Sequence, residues 1–288
     1  MVTGAQQITL HEAAQRLGVH YMTAYRYVRT GALPARQVGA RWMVKVSDVD
    51  AVRSPQRRGS PPRRGVGPAR VRQQLMSRLV AGDEAGSWVT IQSALAGGTD
   101  PTSVYVELIA PVLRAVGDEW ESGRLQVAGE HRASATATRI IGRLGPLFSR
   151  RGRPRGTVVI GVVAHDRHGL PAAMLSDVVR SAGFQVLDLG ADTPPVSFVE
   201  TAREASRLVA VMVCATIDGC EESVSSTVSA LRSAGVEAPI LLGGAAVKGV
   251  EHADALGGDA YTGLDARSAM AVLNEVAAMR RPAVRPVP

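Results

Sequence analysis

Two histidines and an aspartate share one short polar turn, at His165, Asp166 and His168. The seven residues before it, 157–163, are mostly apolar and β-branched, and they predict a buried parallel strand. Pro171 then marks the start of a helix. Because ligands of open α/β sheets bind beyond the carboxyl ends of the strands, this turn is a candidate binding site.

The chemistry that this turn could support is metal ligation. A histidine that follows a carboxylate by two residues can bind a metal through one ring nitrogen while the acid holds the other. Taken alone, the turn fits an ordinary surface loop better, and the rest of the chain decides between the two interpretations.

The turn belongs to a series of alternating strand and helix patterns. Strand patterns occur at 157–163, 185–189, 208–214, 239–242 and 260–261. Helix patterns alternate with them at 171–182, 195–207, 221–234, 247–256 and 264–279. This order predicts a doubly wound, flavodoxin-like α/β domain over residues 156–280. The domain has no glycine-rich phosphate-binding motif, which argues against a nucleotide site.

Residues 69–151 carry helical periodicity throughout. Four helices with short connections are expected, the third opening at Asp100-Pro101, and together they predict a four-helix bundle. A Pro- and Arg-rich linker, 54–68, precedes this region, and a Pro-rich tail, 281–288, ends the chain.

The amino-terminal part, 1–53, carries the pattern of a helix-turn-helix. Helices are expected over 8–17, with Thr9 and Glu12 as a capping box, and over 21–29, followed by a hairpin and a third short helix. The segment LHEAAQRLGVHYMTAYRYVRTGALPARQVGARWMV resembles the winged helix-turn-helix shared by excisionases and MerR-type regulators. The expected DNA contacts come from the recognition helix and the wing: Tyr21, Met22, Thr23, Arg26, Tyr27, Arg36 and Arg41.

The distribution of charge supports a nucleic-acid partner. Residues 1–80 hold fourteen Lys and Arg against three acids, a net of +11, whereas the remaining 208 residues hold nineteen against twenty-three, a net of −4. Cys214 and Cys220 fit neither a zinc site nor a disulfide framework. No signal peptide or membrane span is visible, so a cytoplasmic protein without a membrane partner is expected.

The α/β domain resembles the cobalamin-binding domains of methionine synthase and its relatives. Their D-x-H-x-x-G motif aligns with Asp166 and His168, although Pro171 replaces the glycine. The resemblance implies that His168 ligates cobalt from below. It places the remaining cofactor contacts in the loops after the second, third and fourth strands: Asp192, Thr193, Cys214, Thr216, Gly243 and Gly244. Cys214 and Thr216 stand where the S-x-L motif has Ser and Leu.

Trp120, followed after nine residues by Glu130-His131, resembles the W-x9-E-H motif of light-sensing cobalamin regulators of the CarH/LitR type. Those proteins join a MerR-like domain, a four-helix cap and a cobalamin domain in the same order. The resemblance implies that Trp120, Glu130 and His131 surround the adenosyl group above cobalt. It also makes His131 a candidate cobalt ligand after photolysis.

The expected function is that of a transcriptional regulator, a repressor rather than an enzyme, which binds an operator in double-stranded DNA. The expected cofactor is adenosylcobalamin, with light setting a dimeric or tetrameric state and the affinity for DNA. Three alternatives stay open: a cobalamin-level sensor without photochemistry, a corrinoid carrier for methyl transfer, and a regulator whose cobalamin site has degenerated.

Overall fold

The computed structural model describes residues 7–17, 19, 21–29, 33–39, 41–53 and 68–279. The chain divides into two compact units, residues 1–65 and 66–288. The predicted linker, apart from Pro68, and the predicted tail lie outside the described residues. In the described ranges, no helix is long and apolar enough to cross a membrane.

The first unit combines short helices with a small antiparallel sheet of order β1-β3-β2. Its elements are β1 (Gln7–Thr9), α1 (Leu10–Leu17), α2 (Tyr21–Arg29), β2 (Ala35–Val38), β3 (Arg41–Lys45) and α3 (Val46–Arg53). The helix predicted from Ile8 begins at Leu10 instead, because the residues before it pair with β3. Thr9 and Glu12 exchange backbone-to-side-chain hydrogen bonds at that helix start, which is the expected capping box.

The second unit opens with a helical region. Its elements are α4 (Pro68–Ala81), α5 (Glu84–Ala96), α6 (Pro101–Ser103), a π-helical segment (Val104–Ile109), α7 (Ala110–Glu121), α8 (Val127–Leu144) and a 3-10 turn (Gly145–Phe148). The helices bury one apolar core, whose largest fully buried members are Tyr105, Phe148, Leu75, Leu79, Ile91, Ile109, Ile140 and Leu144.

The π-helical segment interrupts what the sequence pattern predicts as one regular helix. Pro111 explains the interruption, since it has no N–H with which to bond the carbonyl of Glu107. The backbone N–H of Ala110 bonds the carbonyl of Tyr105 instead, five residues back, and the guanidinium of Arg72 donates to the freed Glu107 carbonyl at 3.3 Å. The π-helix therefore has an identifiable chemical cause and a compensating donor.

The α/β part contains a parallel five-stranded sheet of order β5-β4-β6-β7-β8. Its strands are β4 (Thr157–Val162), β5 (Gln185–Asp188), β6 (Leu208–Cys214), β7 (Ile240–Gly243) and β8 (Ala260–Tyr261). Its helices are α9 (Gly169–Ser181), α10 (Pro195–Glu204), α11 (Glu221–Ser233), α12 (Val250–Ala255) and α13 (Ala266–Met279). Helices α9 and α13 cover one face of the sheet and α10, α11 and α12 the other. The Rossmann-like architecture expected from the sequence is confirmed.

The helical region packs on the α/β part through α9 and α13. Met174 and Val178 of α9 belong to the core of the helical region. The hydroxyl of Tyr105 donates to Asp177 of α9 at 2.7 Å, and Arg267 of α13 donates to Glu107 at 2.6 Å. The π-helical segment is thus tied to both helices on that face.

Candidate functional site

The carboxylate of Asp166 is the centre of the predicted turn and is fully buried. It accepts hydrogen bonds from the backbone N–H of His168 at 3.0 Å and pairs with the ring Nδ1 of His168 at 2.9 Å. It also accepts bonds from the backbone N–H and the hydroxyl of Thr216, just after β6, at 2.6 and 2.8 Å. These four groups satisfy a charge that would be costly to bury alone.

The surroundings of Asp166 favour one tautomer of the His168 ring. Burial alone would raise the pKa of Asp166, but the hydrogen bonds from His168 and Thr216 outweigh it and hold the pKa below its ordinary value. An ionised Asp166 favours the His168 tautomer that carries its proton on Nδ1. The Nε2 lone pair, which has no hydrogen-bond partner among the described residues, is then available on a side chain that is 60% exposed.

The loop after β5 closes onto this turn. The backbone N–H of His165 donates to the Asp192 carboxylate at 2.7 Å, and the N–H of Asp192 donates to the Asp166 carbonyl at 2.8 Å. Thr193 forms a parallel bridge with Val163. His165 and Asp192 both have left-handed backbones, with φ of 72° and 53°. His165 therefore shapes the loop through its backbone, whereas the ring of His168 is the one held by an acid.

Cys214, at the end of β6, is buried beside this cluster. Burial, followed by the negative charges of Asp188 and Asp166, raises the pKa of the Cys214 thiol to about 12. The group stays protonated at neutral pH and behaves as a small, weakly polar side chain rather than as a nucleophile.

The glycine pair at the end of β7 is required by the fold itself. A Cβ on Gly243 would overlap the Thr262 hydroxyl, and one on Gly244 would overlap the Ala215 carbonyl. Gly244 also has a φ of 103°, which other residues rarely adopt. The two glycines bring the backbone after β7 close to the backbone after β6, at the same edge of the sheet as Asp166.

The predicted cap residues lie in the helical region. Trp120 is in the last turn of α7 and is 48% exposed, a large fraction for this side chain. Glu130, in the first turn of α8, accepts a hydrogen bond from Ser134 at 2.6 Å, and the His131 ring lies 3.7 Å from Glu130. In the described part of the chain, neither Glu130 nor His131 forms a hydrogen bond or ion pair with the Asp166–His168 pair.

The predicted DNA-contacting residues fall on α2, β2 and β3. Tyr21 is exposed at the start of α2, Tyr27 is half-buried against the core of its unit, and Arg36 is exposed on β2. The side chains of the other predicted contacts lie outside the described residues: Met22, Thr23, Arg26 and Arg41.

Sequence reasoning missed the buried polar group that joins the two parts of the second unit. Asp177 lies on the inner face of α9, accepts from Tyr105 and pairs with Arg180 at 2.9 Å. The only signal in the sequence is an acid on an otherwise apolar helix face, and its partner Tyr105 is 72 residues away.

Three family models match the chain, and together they span most of it. Residues 71–144 and residues 156–273 each match a B12 binding domain, and residues 8–56 match a helix-turn-helix domain. The two B12 matches correspond to the helical region and the α/β part of the second unit.

Curated relatives match over more than half of the chain. Trimethylamine corrinoid protein of Methanosarcina barkeri is 30% identical over 173 residues, which are 58% of this chain and 79% of the relative. Trimethylamine corrinoid protein 1 of Methanosarcina mazei is 28% identical over 188 residues, which are 62% and 84% of the two chains. The structure of the M. barkeri monomethylamine corrinoid protein has a similar fold, with a TM-score of 0.63 at 19% identity, over 72% of this chain and 99% of that one.

A Rossmann-like sheet with an acid–histidine pair at its carboxyl edge, preceded by a helical region, defines a B12-binding body. The chain belongs to the family of corrinoid proteins, and its helix-turn-helix match precedes the two B12 binding domain matches. Cobalamin is therefore the cofactor that these matches support.

The residues present fit a corrinoid. No cluster of three or more His, Cys, Asp or Glu side chains that could hold a metal ion occurs within the described ranges. His168 therefore offers one ligand rather than a complete coordination sphere, and one imidazole is what a cobalt ion already bound by a macrocycle needs. The carboxylate that holds its other nitrogen is the common arrangement for a metal-ligating histidine.

Proposed function

We propose that this protein is a DNA-binding transcriptional repressor that uses adenosylcobalamin as a light-sensing chromophore. The observation that carries the proposal is the order of parts in one chain. A helix-turn-helix domain precedes a B12-binding body whose helical region presents an exposed Trp120 and the Glu130-His131 pair. A corrinoid carrier has no need of the first part. The protein itself would catalyse no reaction.

In this proposal His168 would ligate cobalt through Nε2, held by Asp166, which Thr216 holds in turn. Asp192 and Thr193 would contact the cofactor from the loop after β5. The nucleotide tail of the cofactor would pass the carboxyl ends of β6 and β7. There it would lie beside Cys214, Thr216, Gly243 and Gly244.

We further propose that the helical region is a four-helix cap over the upper face of the cofactor. The flat apolar side chain of Trp120 would pack on the adenosyl group, and Glu130 would accept hydrogen bonds from its ribose hydroxyls. Light breaks the cobalt–carbon bond of this cofactor, which is the chemistry that the bound group supplies. His131 is 75% exposed, and its nearest charged partner is the adjacent Glu130. It could therefore reorient toward cobalt at little cost.

The DNA-binding half of the proposal assigns a winged helix-turn-helix to the first unit. In it α2 would read base edges, and the β2–β3 hairpin would contact phosphate through Arg36. One such module buries little surface, so tight binding needs a dimer or tetramer on a repeated operator. A ligand shifts the equilibrium between the larger and the smaller oligomer only if it makes different contacts in the two. In this proposal the adenosyl group makes contacts that favour the larger oligomer, so its loss would favour the smaller one.

Size-exclusion chromatography and DNA binding, each in the dark and after green light, test this proposal on the full chain loaded with adenosylcobalamin. The dark protein should be the larger oligomer with the higher DNA affinity, and light should reduce both. Methylcobalamin, which lacks the adenosyl group, is the matched control. Loaded protein with the same elution volume and affinity before and after illumination would contradict the light-sensing function.

A corrinoid carrier for methyl transfer is the second candidate, because the named relatives are corrinoid proteins. A cobalamin-level sensor without photochemistry is a variant of the first. The same experiment separates the three. A carrier would show no specific DNA binding in any state, and a level sensor would bind DNA according to cobalamin but not to light.

A further inference from the structure

Four of the seven residues just before β4, residues 150–156, are arginines, Arg150, Arg151, Arg153 and Arg155, and none of the seven is acidic. All four arginines are exposed. The chain after residue 80 holds nineteen basic against twenty-three acidic residues, so this segment concentrates positive charge on an otherwise slightly acidic body. It lies at the amino-terminal end of β4, whereas Asp166 follows the carboxyl end.

The carboxyl-terminal end of this segment is anchored beside the sheet at Pro154 and Arg155. The guanidinium of Arg207 donates to the carbonyls of Pro154 and Arg155, at 3.0 Å each. The backbone N–H of Arg155 donates to the Gly183 carbonyl at 2.9 Å, and its guanidinium stacks over the ring of Phe184 at 4.3 Å. Arg155 and Arg207 therefore have structural roles in holding the segment.

The other three arginines have no such role. Across the described residues, the guanidinium groups of Arg150, Arg151 and Arg153 form no hydrogen bond and no ion pair, in contrast to Arg139, which pairs with Glu84. Exposed guanidinium groups without internal partners, next to a backbone anchored at Pro154 and Arg155, are available to an external anion. We call these three side chains the arginine surface.

We propose that the arginine surface binds the phosphate backbone of DNA, as a second contact in addition to that of the helix-turn-helix unit. This inference rests on the proposed function as a DNA-binding regulator. The planar fork of arginine fits phosphate oxygens. The segment 149–155 contains no apolar side chain except Pro154, whereas a protein interface needs an apolar centre. Because both surfaces belong to one chain, binding of the first raises the effective concentration of DNA at the second.

Phosphate contacts carry little sequence information, and their signature is salt dependence. The test compares the full chain, loaded with adenosylcobalamin in the dark, with the variant R150A/R151A/R153A. Affinity for the operator and for a scrambled duplex is measured at several salt concentrations. We expect the variant to bind both duplexes more weakly by the same factor. The plot of log affinity against log salt should become shallower, its slope decreasing in magnitude by about two to three, since each phosphate contact contributes about 0.9.

Two matched variants isolate the effect. R114A/R139A/R203A removes the same charge from exposed positions on α7, α8 and α10, together with the Arg139–Glu84 ion pair and the hydrogen bond of Arg203 to the Ala234 carbonyl, and should leave the slope close to that of the wild type. R150K/R151K/R153K keeps the charge and should retain most of the slope. Circular dichroism and thermal melting establish that every variant is folded.

The following outcomes would contradict the proposal. A wild-type slope in R150A/R151A/R153A would overturn the proposal. If that variant also elutes at a smaller size, the arginines face a protein surface of a second copy instead. An equal loss of slope in R114A/R139A/R203A would reduce the effect to net charge and overturn it too. A wild type that binds no DNA in any state would refute the proposed function itself, a different result from an unchanged slope.

Discussion

The hydroxyl of Tyr105 donates a 2.7 Å hydrogen bond to the carboxylate of Asp177, and both side chains are buried. Asp177 also pairs with Arg180, whose guanidinium lies 4.0 Å from Asp188 at the end of β5. Asp188 in turn accepts a hydrogen bond from Gly190, in the loop that carries Asp192. A chain of polar contacts therefore links the π-helical segment of the helical region to the candidate site.

Tyr105→Phe should destabilise the second unit by about 1–3 kcal/mol, because it leaves one oxygen of a buried carboxylate without its donor. Urea unfolding of the chain without cofactor measures this. Tyr261→Phe is the control, since the hydroxyl of Tyr261 has no hydrogen-bond partner within the described residues. An equal loss in both variants would show that the Tyr105–Asp177 bond contributes nothing specific.

The same bond predicts a loss of stability in alkali. Burial, then the hydrogen bond to Asp177 and its charge, raises the pKa of Tyr105 above its ordinary value of 10.0. A pKa that is higher in the folded state stabilises the fold below the unfolded pKa, and this contribution declines as the pH rises past about 10. The stability difference between wild type and Tyr105→Phe should therefore shrink above pH 10, by up to about 1.4 kcal/mol per pH unit. A difference that stays constant from pH 8 to 11.5 would contradict it.

His168→Ala should change the visible spectrum of bound hydroxocobalamin toward a form without imidazole ligation, and free imidazole should restore the original spectrum. His165→Asn is the control, since asparagine tolerates the left-handed backbone of that position. An unchanged spectrum in His168→Ala together with a changed one in His165→Asn would reverse the assignment of the ligand.

Gly244→Ala should cost more than about 2 kcal/mol even without cofactor, because it combines a left-handed backbone with overlap of the Ala215 carbonyl. Gly190→Ala separates these two causes, since Gly190 has a φ of 73° but open space around its Cβ. The melting temperature of Gly244→Ala should therefore lie well below that of Gly190→Ala. Similar melting temperatures would mean that the backbone relaxes away from the overlap.

The parts that the sequence predicts correctly depend on local patterns. The β-branched run before His165 predicts β4, and the two-residue spacing of Asp166 and His168 predicts their pairing. The resemblance gives Thr216 only as a cofactor contact, and its hydrogen bonds to Asp166 are not predicted, because that contact spans 50 residues. The Tyr105–Asp177 bond spans 72 residues and leaves no periodic signal. The apolar pattern does not predict the π-helix, because that pattern carries no information on the missing backbone N–H of Pro111.

Trp120→Ala should uncouple the cofactor from assembly. Trp120 is a large apolar side chain that is 48% exposed, so a group that packs on it would favour one arrangement of the helical region. We expect the dark, adenosylcobalamin-loaded variant to elute at the smaller size and to bind operator DNA as weakly as illuminated wild type.

Trp120→Phe, which keeps an aromatic face, should retain much of the dark assembly. Val127→Ala removes another exposed apolar side chain of the same region and should change neither property. Cobalamin spectra should show that every variant is loaded, since a loss of assembly through loss of cofactor would have a different cause. Loaded Trp120→Ala that assembles and releases DNA on illumination like the wild type would remove Trp120 from the proposed switch.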